Sequence, residues 1–237
     1  MCNRFRSIEE WSEIPRDLYS GARLNFEYNP NVAPTETVPA LIAGNGAAIA
    51  RFGINRLLPG GKPRLPLLNV RTDGLRNGQF RIHMKQQRCV IPAAGFYEWR
   101  EEGGKQPYYF ARNDGKPLML AGIWEEAEYK GDRRIAFAIL TEEPNDLVAP
   151  YHDRMPLALA DDKIGLWLDL AQPTPLEYEL LLDLRQFAVR PMGRAMNNVR
   201  EKNLAAFDPE ARHSFRGGSN EEASWPDLFR PSTSSGN

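Results

Sequence analysis

The second residue, Cys2, carries the most distinctive chemistry in the sequence because of its position. Methionine aminopeptidase removes Met1 before small residues, so we expect the mature chain to begin with a cysteine that has both a free amine and a thiol. An α-amine with a pKa near ~7.8 is far more often neutral at pH 7 than a lysine near ~10.4. Such an amine forms an imine with an aldehyde, and the thiol can then close a thiazolidine ring. The alternative is an incidental small residue at a frayed terminus.

Two further residues are candidate acids or bases. Glu98 lies in GFYEW, where strand alternation places Phe96 and Glu98 on the same face. In a cleft its pKa would rise through desolvation, which suits a general acid or base, whereas on the solvent side it would be an ordinary exposed residue. His152 lies in the loop sequence YHDRMP, beside Asp153 and Arg154, and is either functional or a surface residue.

The second cysteine, Cys89, lies in the apolar run RCVIP and is predicted to be a buried structural residue. Two cysteines are too few for a disulfide framework and neither has metal-ligand spacing, so we expect no metal, and nothing implies an organic cofactor. The sequence shows neither a run of ~20 apolar residues nor a signal-peptide core. It therefore predicts a cytoplasmic protein with no membrane segment.

Charge is segregated along the chain although the net charge is only -1 and the pI is about 6.4. This balance excludes a globally basic nucleic-acid coat protein. Residues 51–90 carry nine basic side chains against the single acid Asp73, a local charge of +8. Most are arginines, whose bidentate donors suit phosphate, so the segment favours a phosphate-binding groove over a merely solvated surface. The nine are Arg51, Arg56, Lys62, Arg64, Arg71, Arg76, Arg81, Lys85 and Arg88.

The elements that must position these groups are mostly strands. From Arg88 onward, apolar and aromatic runs alternate with short turns rich in glycine, which predicts an antiparallel meander. Earlier runs at Val38 to Ile42 and Ala47 to Ile54 are predicted to add strands.

Helices are predicted at the edges. We expect a short helix over Ile8 to Tyr19, interrupted at Pro15, and later helices capped by Asp161 and Thr174. The domain is predicted to span residues 2–207. The polar segment 208–237 is predicted to be a partly disordered tail.

Seven motifs together resemble the SRAP family, the SOS-response-associated peptidase-like proteins that process abasic sites in single-stranded DNA. In chain order they are MCNRF at 1–5, YNPNVAPT at 28–35, NVR at 69–71, RCVIPAAGFYEW at 88–99, AGIWE at 121–125, HDRMP at 152–156 and NNV at 197–199. The resemblance implies a single α+β domain with a barrel-like, mainly antiparallel sheet, peripheral helices and a positively charged DNA groove.

The resemblance also implies roles for individual residues. Cys2 matches the nucleophile that forms a thiazolidine with the ring-opened sugar, and Asn69 an asparagine that positions the terminal residue and the sugar. Glu98 and His152 match proton-transferring groups. Arg4 and Arg71 match arginines that hold flanking phosphates. Arg76, a member of the basic segment, is also predicted to bind DNA.

The chain departs from the family pattern at three places. Asn3 stands for the more usual glycine and Asp73 for a glutamate. Where the family has a tryptophan-glycine pair and further aromatics, this chain reads RFGINRLL from Arg51 to Leu58. Base stacking on an aromatic contributes ~1 to 3 kcal/mol, so we expect weaker or redirected contact with the bases beside the lesion.

These observations predict a monomeric DNA-repair enzyme that binds single-stranded DNA, or a junction with duplex, and crosslinks to abasic sites through Cys2. AP-lyase activity and autocatalytic peptidase activity are predicted as well. One alternative is an N-terminal-nucleophile amidohydrolase of the glutamine amidotransferase type, although those chains usually continue Cys-Gly-Ile and this one reads Cys-Asn-Arg. A third is a non-covalent single-strand binding module with an inert terminus.

Overall fold

The computed structural model describes residues 3–20, 23–44, 46–57, 63–75, 78–101, 104–129, 132–171, 182 and 187–208. The strands are β1 Phe5–Ser7, β2 Thr37–Ile42, β3 Gly46–Phe52, β4 Ile54–Leu57, β5 Pro63–Leu67, β6 Asn69–Arg71, β7 Arg88–Arg100, β8 Gln106–Arg112, β9 Leu118–Tyr129, β10 Asp132–Glu142, β11 Met155–Pro156, β12 Ala158–Leu159 and β13 Phe187–Pro191. The α-helices in these ranges are short: α1 Thr72–Leu75, α2 Arg81–Gln86, α3 Ile164–Leu168 and α4 Leu204–Phe207.

Five strands close into a barrel. β7 pairs with β9, β9 with β10, β10 with β3, β3 with β2, and β2 returns to β7. Most pairings are antiparallel, while β10 runs parallel to β3 and β6. β8 and β13 extend the sheet from β7, and β1 adds to β7. The expected α+β fold with a barrel-like, mainly antiparallel sheet is therefore confirmed.

Alternate residues of the barrel strands pack into two separate cores. In β10, Phe137 and Ile139 join a phenylalanine core, whereas Ala138 and Leu140 face a tryptophan core on the other side. We define the phenylalanine core by the fully buried Phe5, Phe52, Phe96, Phe110 and Phe137, and the tryptophan core by Trp11 and Trp167.

The predicted strand from Ala47 to Ile54 is interrupted by one glycine. Gly53 has a φ of +112°, a conformation that other residues rarely adopt, so β3 ends at Phe52 and β4 begins at Ile54. Phe52 stacks on Phe137 with ring centroids 5.2 Å apart and is wholly buried. The aromatic ring that remains in this segment is therefore part of the core.

The predicted helix over Ile8 to Tyr19 is wrong. This segment forms two single 3-10 turns, Trp11–Glu13 and Arg16–Leu18, separated by an extended Ile14. Pro15 disfavours a helical conformation in the residue before it, which explains the break.

The two later helices have different outcomes. α3 forms as expected, but Asp161 does not cap it, because its carboxylate pairs with Arg112 at 2.5 Å. The helix predicted after Thr174 lies outside the described residues. No helix in the part of the chain that the structure describes is long and apolar enough to cross a membrane.

Candidate active site

The N-terminal strand lies directly against the strand that carries Glu98. β1 pairs with β7 so that Phe5 faces Phe96, and the amide of Tyr97 donates to the carbonyl of Arg4 at 3.0 Å. Continuing this antiparallel register puts Asn3 opposite Glu98. Cys2 lies outside the described residues and precedes Asn3 by one peptide bond.

Asn69 contacts the residue next to Cys2. Its Nδ2 donates to Asn3 Oδ1 at 2.9 Å. Asn69 stands beside Ile139 in the parallel pairing of β6 with β10, so its side chain projects to the face of the phenylalanine core. Its Oδ1 is buried and has no hydrogen-bond partner among the residues described, which leaves one acceptor available at this position.

Glu98 is buried, with only 3% of its surface exposed, so the alternative of an ordinary exposed strand residue is wrong. It projects to the same face as Phe96, as the alternation predicts. Burial raises the pKa of its carboxyl from the ordinary 4.5 to about 7, and the nearby charge of Asp153 acts in the same direction. Its Oε1 is buried without a partner in the described ranges, as expected of a group that exchanges protons near neutral pH.

The loop with His152 lies over the neighbours of Glu98. Tyr108 stands beside Glu98 in the pairing of β8 with β7, and its ring lies 4.5 Å from that of Tyr151. The side chain of Asn145 accepts the amide hydrogens of Leu147 and Val148 and so shapes the beginning of this loop. The loop thus carries His152 towards the end of β7 that holds Glu98.

The imidazole of His152 is held through its Nδ1 atom. The amide of Arg154 donates to Nδ1 at 2.9 Å, which favours the neutral tautomer with its hydrogen on Nε2. Burial lowers the pKa of His152 below its ordinary value, while the Asp153 carboxylate, 2.9 Å from the same nitrogen, acts against this shift. A ring that is neutral at pH 7 can both accept and donate a proton.

Sequence reasoning missed three polar residues nearby. Thr141, Glu142 and Arg154 each have a buried side-chain atom without a hydrogen-bond partner within the described ranges. Burial raises the pKa of Glu142 to about 7. The signal was available in two places: Thr141 and Glu142 directly follow the apolar run IAFAIL in β10, and Arg154 lies within HDRMP. The guanidinium of Arg154 donates to the carbonyl of Thr141 at 2.5 Å and so ties the loop to β10.

The three arginines predicted to bind phosphate have different environments. Arg71 is exposed and forms a bidentate pair with Asp73 at 3.1 and 2.8 Å. Arg4 is buried and donates to Asn31 Oδ1 at 2.8 Å and to the carbonyl of Met196 at 2.9 Å. Arg76 lies outside the described residues.

Two members of the basic segment have structural contacts in the interior. Arg88 is fully buried and donates to the carbonyls of Met84, Trp167 and Asp169 at 2.6 to 2.7 Å. Arg51 is also buried and donates to the carbonyl of Gly53 at 2.7 Å. The local charge of +8 therefore overstates the positive charge that this segment presents to a ligand.

Motifs from distant parts of the sequence meet around β1. Asn31, from YNPN, donates to the carbonyls of Asn198 and Glu201 at 3.3 and 3.0 Å. Trp99, from GFYEW, donates to Asn197 Oδ1 at 2.6 Å.

Within the described ranges, no group of three His, Cys, Asp or Glu residues is arranged to hold a metal ion.

Comparisons with known proteins identify chains that are similar in sequence to this one. The family model "SOS response associated peptidase (SRAP)" matches residues 1–199. The abasic site processing protein YedK of Escherichia coli is 27% identical over 221 residues, which cover 88% of this chain and 100% of that protein. YoaM of Bacillus subtilis, also named an abasic site processing protein, is 30% identical over 227 residues, covering 89% and 99% of the two chains.

Solved structures show the same fold. A Bordetella bronchiseptica protein aligns with a TM-score of 0.64 at 23% identity, covering 80% of this chain and 99% of that one. A phage-related protein from the same organism aligns with a TM-score of 0.60 at 26% identity, covering 80% and 93%. The ordered motifs, the barrel and the family match lead to one conclusion: the chain belongs to the SOS response associated peptidase (SRAP) family.

Proposed function

We propose that this protein is a DNA-repair enzyme that binds single-stranded DNA, or its junction with duplex, and couples covalently to abasic sites through Cys2 once Met1 is removed. Relatives across most of its length are named abasic site processing proteins. The observation that carries the proposal is the hydrogen bond from Asn69 to Asn3, beside a buried Glu98 whose pKa is about 7.

The reaction balances without a cofactor or a redox partner. The ring-opened abasic sugar offers an aldehyde at C1′, and the α-amine of Cys2 adds to this carbon. Loss of one water gives an imine. The thiol sulfur then bonds to the same carbon, its proton ends on the nitrogen, and a five-membered thiazolidine closes. If the reaction stops at the imine, β-elimination at the sugar breaks the DNA strand, which is AP-lyase activity.

Each candidate residue has a definite task in this proposal. Glu98, half ionised near neutral pH, accepts a proton during ring opening and returns one when water leaves the carbinolamine. Asn69 positions the N-terminal residue through Asn3 and offers Oδ1 to the sugar. His152, held by Arg154, exchanges a proton with the sugar oxygen.

Selectivity for the lesion has a simple energetic basis. A sugar without a base is neither stacked nor paired, so it enters a pocket without the cost of extracting a base from a helix. Arg71 is suited to a flanking phosphate because it is exposed, and Asp73 holds its guanidinium in one orientation. We assign a phosphate contact to Arg4 on the family resemblance and to Arg76 as a member of the basic segment. The enzyme is proposed to act in the cytoplasm as a monomer.

To test this, the protein is incubated with an abasic single-stranded oligonucleotide, and the mixture is then heated and separated on a denaturing gel. The wild type is expected to give a heat-stable complex. Cys2→Ala keeps the amine but lacks the thiol, so it is expected to give only an imine that needs borohydride to survive denaturation. An equal heat-stable complex with Cys2→Ala overturns the proposal.

Two control reactions address the rival functions. Release of ammonia from glutamine would indicate an amidohydrolase, and binding with no covalent product would indicate a simple DNA-binding module. Autocatalytic peptidase activity is tested separately. A chain carrying extra residues before Cys2 is expected to release them, and Cys2→Ala is expected to keep them.

A further inference from the structure

Arg6, the second buried arginine near the N-terminus after Arg4, anchors β1, the strand that follows Cys2. Its guanidinium is buried, donates to the hydroxyl of Tyr97 at 3.0 Å and lies 4.3 Å from the ring centroid of Tyr109. The Tyr97 hydroxyl in turn donates to the carbonyl of Pro30 at 2.8 Å. Arg6 therefore contacts β7 and β8 directly and is linked to the segment at Pro30 through Tyr97.

The counter-charge of Arg6 comes from the far end of the described chain. Asp208 is fully buried and accepts from Arg6 Nη2 at 2.7 Å. It also accepts from both Nη atoms of Arg190 in β13. Burial acts to raise the pKa of Asp208, but hydrogen bonds from Arg190 and Arg6 outweigh it and lower the value below its ordinary range. The carboxylate is thus ionised and shared between the buried Arg6 and the partly buried Arg190.

Asp208 is itself held in place by α4. Asn203 caps the start of this helix by accepting the amide of Ala205 at 3.1 Å, and the Asp208 amide donates to the carbonyl of Leu204 at 2.8 Å. Phe207 packs edge-on against Tyr97, with centroids 6.4 Å apart. The helix therefore delivers the carboxylate to a fixed point behind β1.

We propose that Asp208 is a positioning residue for Cys2: it fixes Arg6, and through Arg6 it fixes the strand from which the nucleophile extends. This inference rests on the proposed function. Asp208 lies beyond residues 1–199, the segment that the family model matches. The segment after residue 199 is thereby assigned a part in building the active site.

The energetic reason is the imbalance that removal of this carboxylate creates. Without Asp208, the buried guanidinium of Arg6 and the partly buried one of Arg190 face the same tyrosine, Tyr109, with no anion between them. A buried charge that loses its partner is strongly destabilising, so Arg6 is expected to withdraw towards solvent and to take β1 out of register. Catalytic geometry tolerates little displacement, and a shift of ~1 Å at the nucleophile can cost ~100-fold in rate.

The test uses the full chain with Asp208→Asn and Asp208→Glu, and with Asp132→Asn as the matched control. Asp132 is also an acid paired with an arginine, Arg134 at 3.3 Å, but this pair is exposed. Three quantities are measured: the single-turnover rate of adduct formation at saturating abasic oligonucleotide, the affinity for the same oligonucleotide with all its bases, and amide hydrogen exchange in β1.

For Asp208→Asn we expect a rate at least about tenfold lower, affinity within about twofold of wild type, and faster exchange in β1 than in β9 and β10. Asp208→Glu keeps the charge and is expected to recover part of the rate, whereas Asp132→Asn should match wild type. If Asp208→Asn does not fold, the Asp208→Glu rate and β1 exchange decide the question.

Failure of this inference is distinguishable from failure of the proposed function. A wild-type chain that forms adduct, with Asp208 variants that form it equally fast or with unchanged exchange in β1, overturns the positioning role alone. The positioning role is also overturned if the rate and the affinity both fall in proportion to the fraction of protein that is unfolded. A wild-type chain that forms no adduct overturns the proposed function.

Discussion

The side chain of Asn69 donates a hydrogen bond to the side chain of Asn3 at 2.9 Å, joining β6 to the residue next to Cys2. The family resemblance implies a more usual glycine at the position of Asn3, and glycine has no side chain to accept this bond. The substitution therefore adds a tether that a glycine lacks. It also uses one of the two Nδ2 hydrogens of Asn69, while Oδ1 has no hydrogen-bond partner among the described residues.

This tether predicts energetic coupling between the two asparagines. Asn69→Ala is expected to lower the rate of adduct formation by about 100-fold and Asn3→Ala by about tenfold, because only Asn69 also serves the sugar. The double variant should be no slower than Asn69→Ala, since the interaction is already lost. Single-turnover rates for the four proteins measure this coupling. Strictly multiplicative effects would show that the two residues act independently.

Glu98→Gln should exchange activity for stability. Because burial raises the pKa of Glu98 from 4.5 to about 7, ionisation of this carboxyl favours the unfolded chain. The stability that the protonated carboxyl contributes is therefore present below about pH 4.5 and is lost as pH rises through 7. Glutamine carries no such penalty. We expect the free energy of unfolding of Glu98→Gln to be about 2 to 3 kcal/mol higher than that of wild type at pH 8 and nearly equal to it at pH 4. The rate of adduct formation is expected to fall.

Urea unfolding at the two pH values measures this difference. Glu126→Gln is the matched control, since Glu126 is exposed and its surface ion pair with Arg133 contributes little, so the variant should stay within about 1 kcal/mol of wild type at both values. A Glu98→Gln protein that is less stable than wild type at pH 8 would show that the carboxylate is held by favourable interactions.

Arg71 and Arg88 are predicted to behave oppositely in DNA binding. The logarithm of affinity for single-stranded DNA falls with the logarithm of salt concentration, and each lost phosphate contact flattens the slope by ~0.7. Arg71→Met should flatten it and leave stability nearly unchanged. Arg88→Met should leave the slope unchanged and destabilise the fold by about 3 kcal/mol or more, because three carbonyls lose a charged donor. A flatter slope for Arg88→Met contradicts the structural assignment.

Gly95 is predicted to accept no side chain. A methyl group there would lie 2.5 Å from Tyr109 Cζ and would collide with the carbonyl of Phe110, on the strand paired with β7. Gly95→Ala is expected to destabilise the protein by several kcal/mol and to displace β1, since Arg6 stands opposite Gly95. Gly165→Ala has open space around it and should be tolerated. Equal thermal stability of the two variants would contradict the close approach of these strands.

The strands of the barrel and the face on which Glu98 lies follow from local patterns in the sequence. Alternation in GFYEW places Glu98 beside Phe96, and turn residues mark the hairpins β7–β8 and β9–β10. The hairpin predicted at Asn113-Asp114-Gly115 is wrong, because β9 crosses over β8 to pair with β7 and so closes the barrel. These signals involve neighbours in sequence. The break at Gly53 and the collapse of the helix before Pro15 depend on single residues that override a longer pattern.

The contacts that build the site could not be predicted in the same way, because they join residues far apart in the chain. Nothing near Arg88 shows that its partners are carbonyls of Trp167 and Asp169, so the sequence-based charge count includes a buried residue. The pairing of Arg6 with Asp208 spans 202 positions. The bond from Arg154 to the carbonyl of Thr141 likewise exists only once β10 and the loop after it are in place.

The most direct test is the intact mass of the mature protein after incubation with an abasic single-stranded oligonucleotide. The account predicts a species equal to the chain without Met1 plus the oligonucleotide with its open sugar, minus one water, with the DNA remnant on the N-terminal peptide after proteolysis. An adduct on any other residue, or none on a chain that has lost Met1, would contradict it.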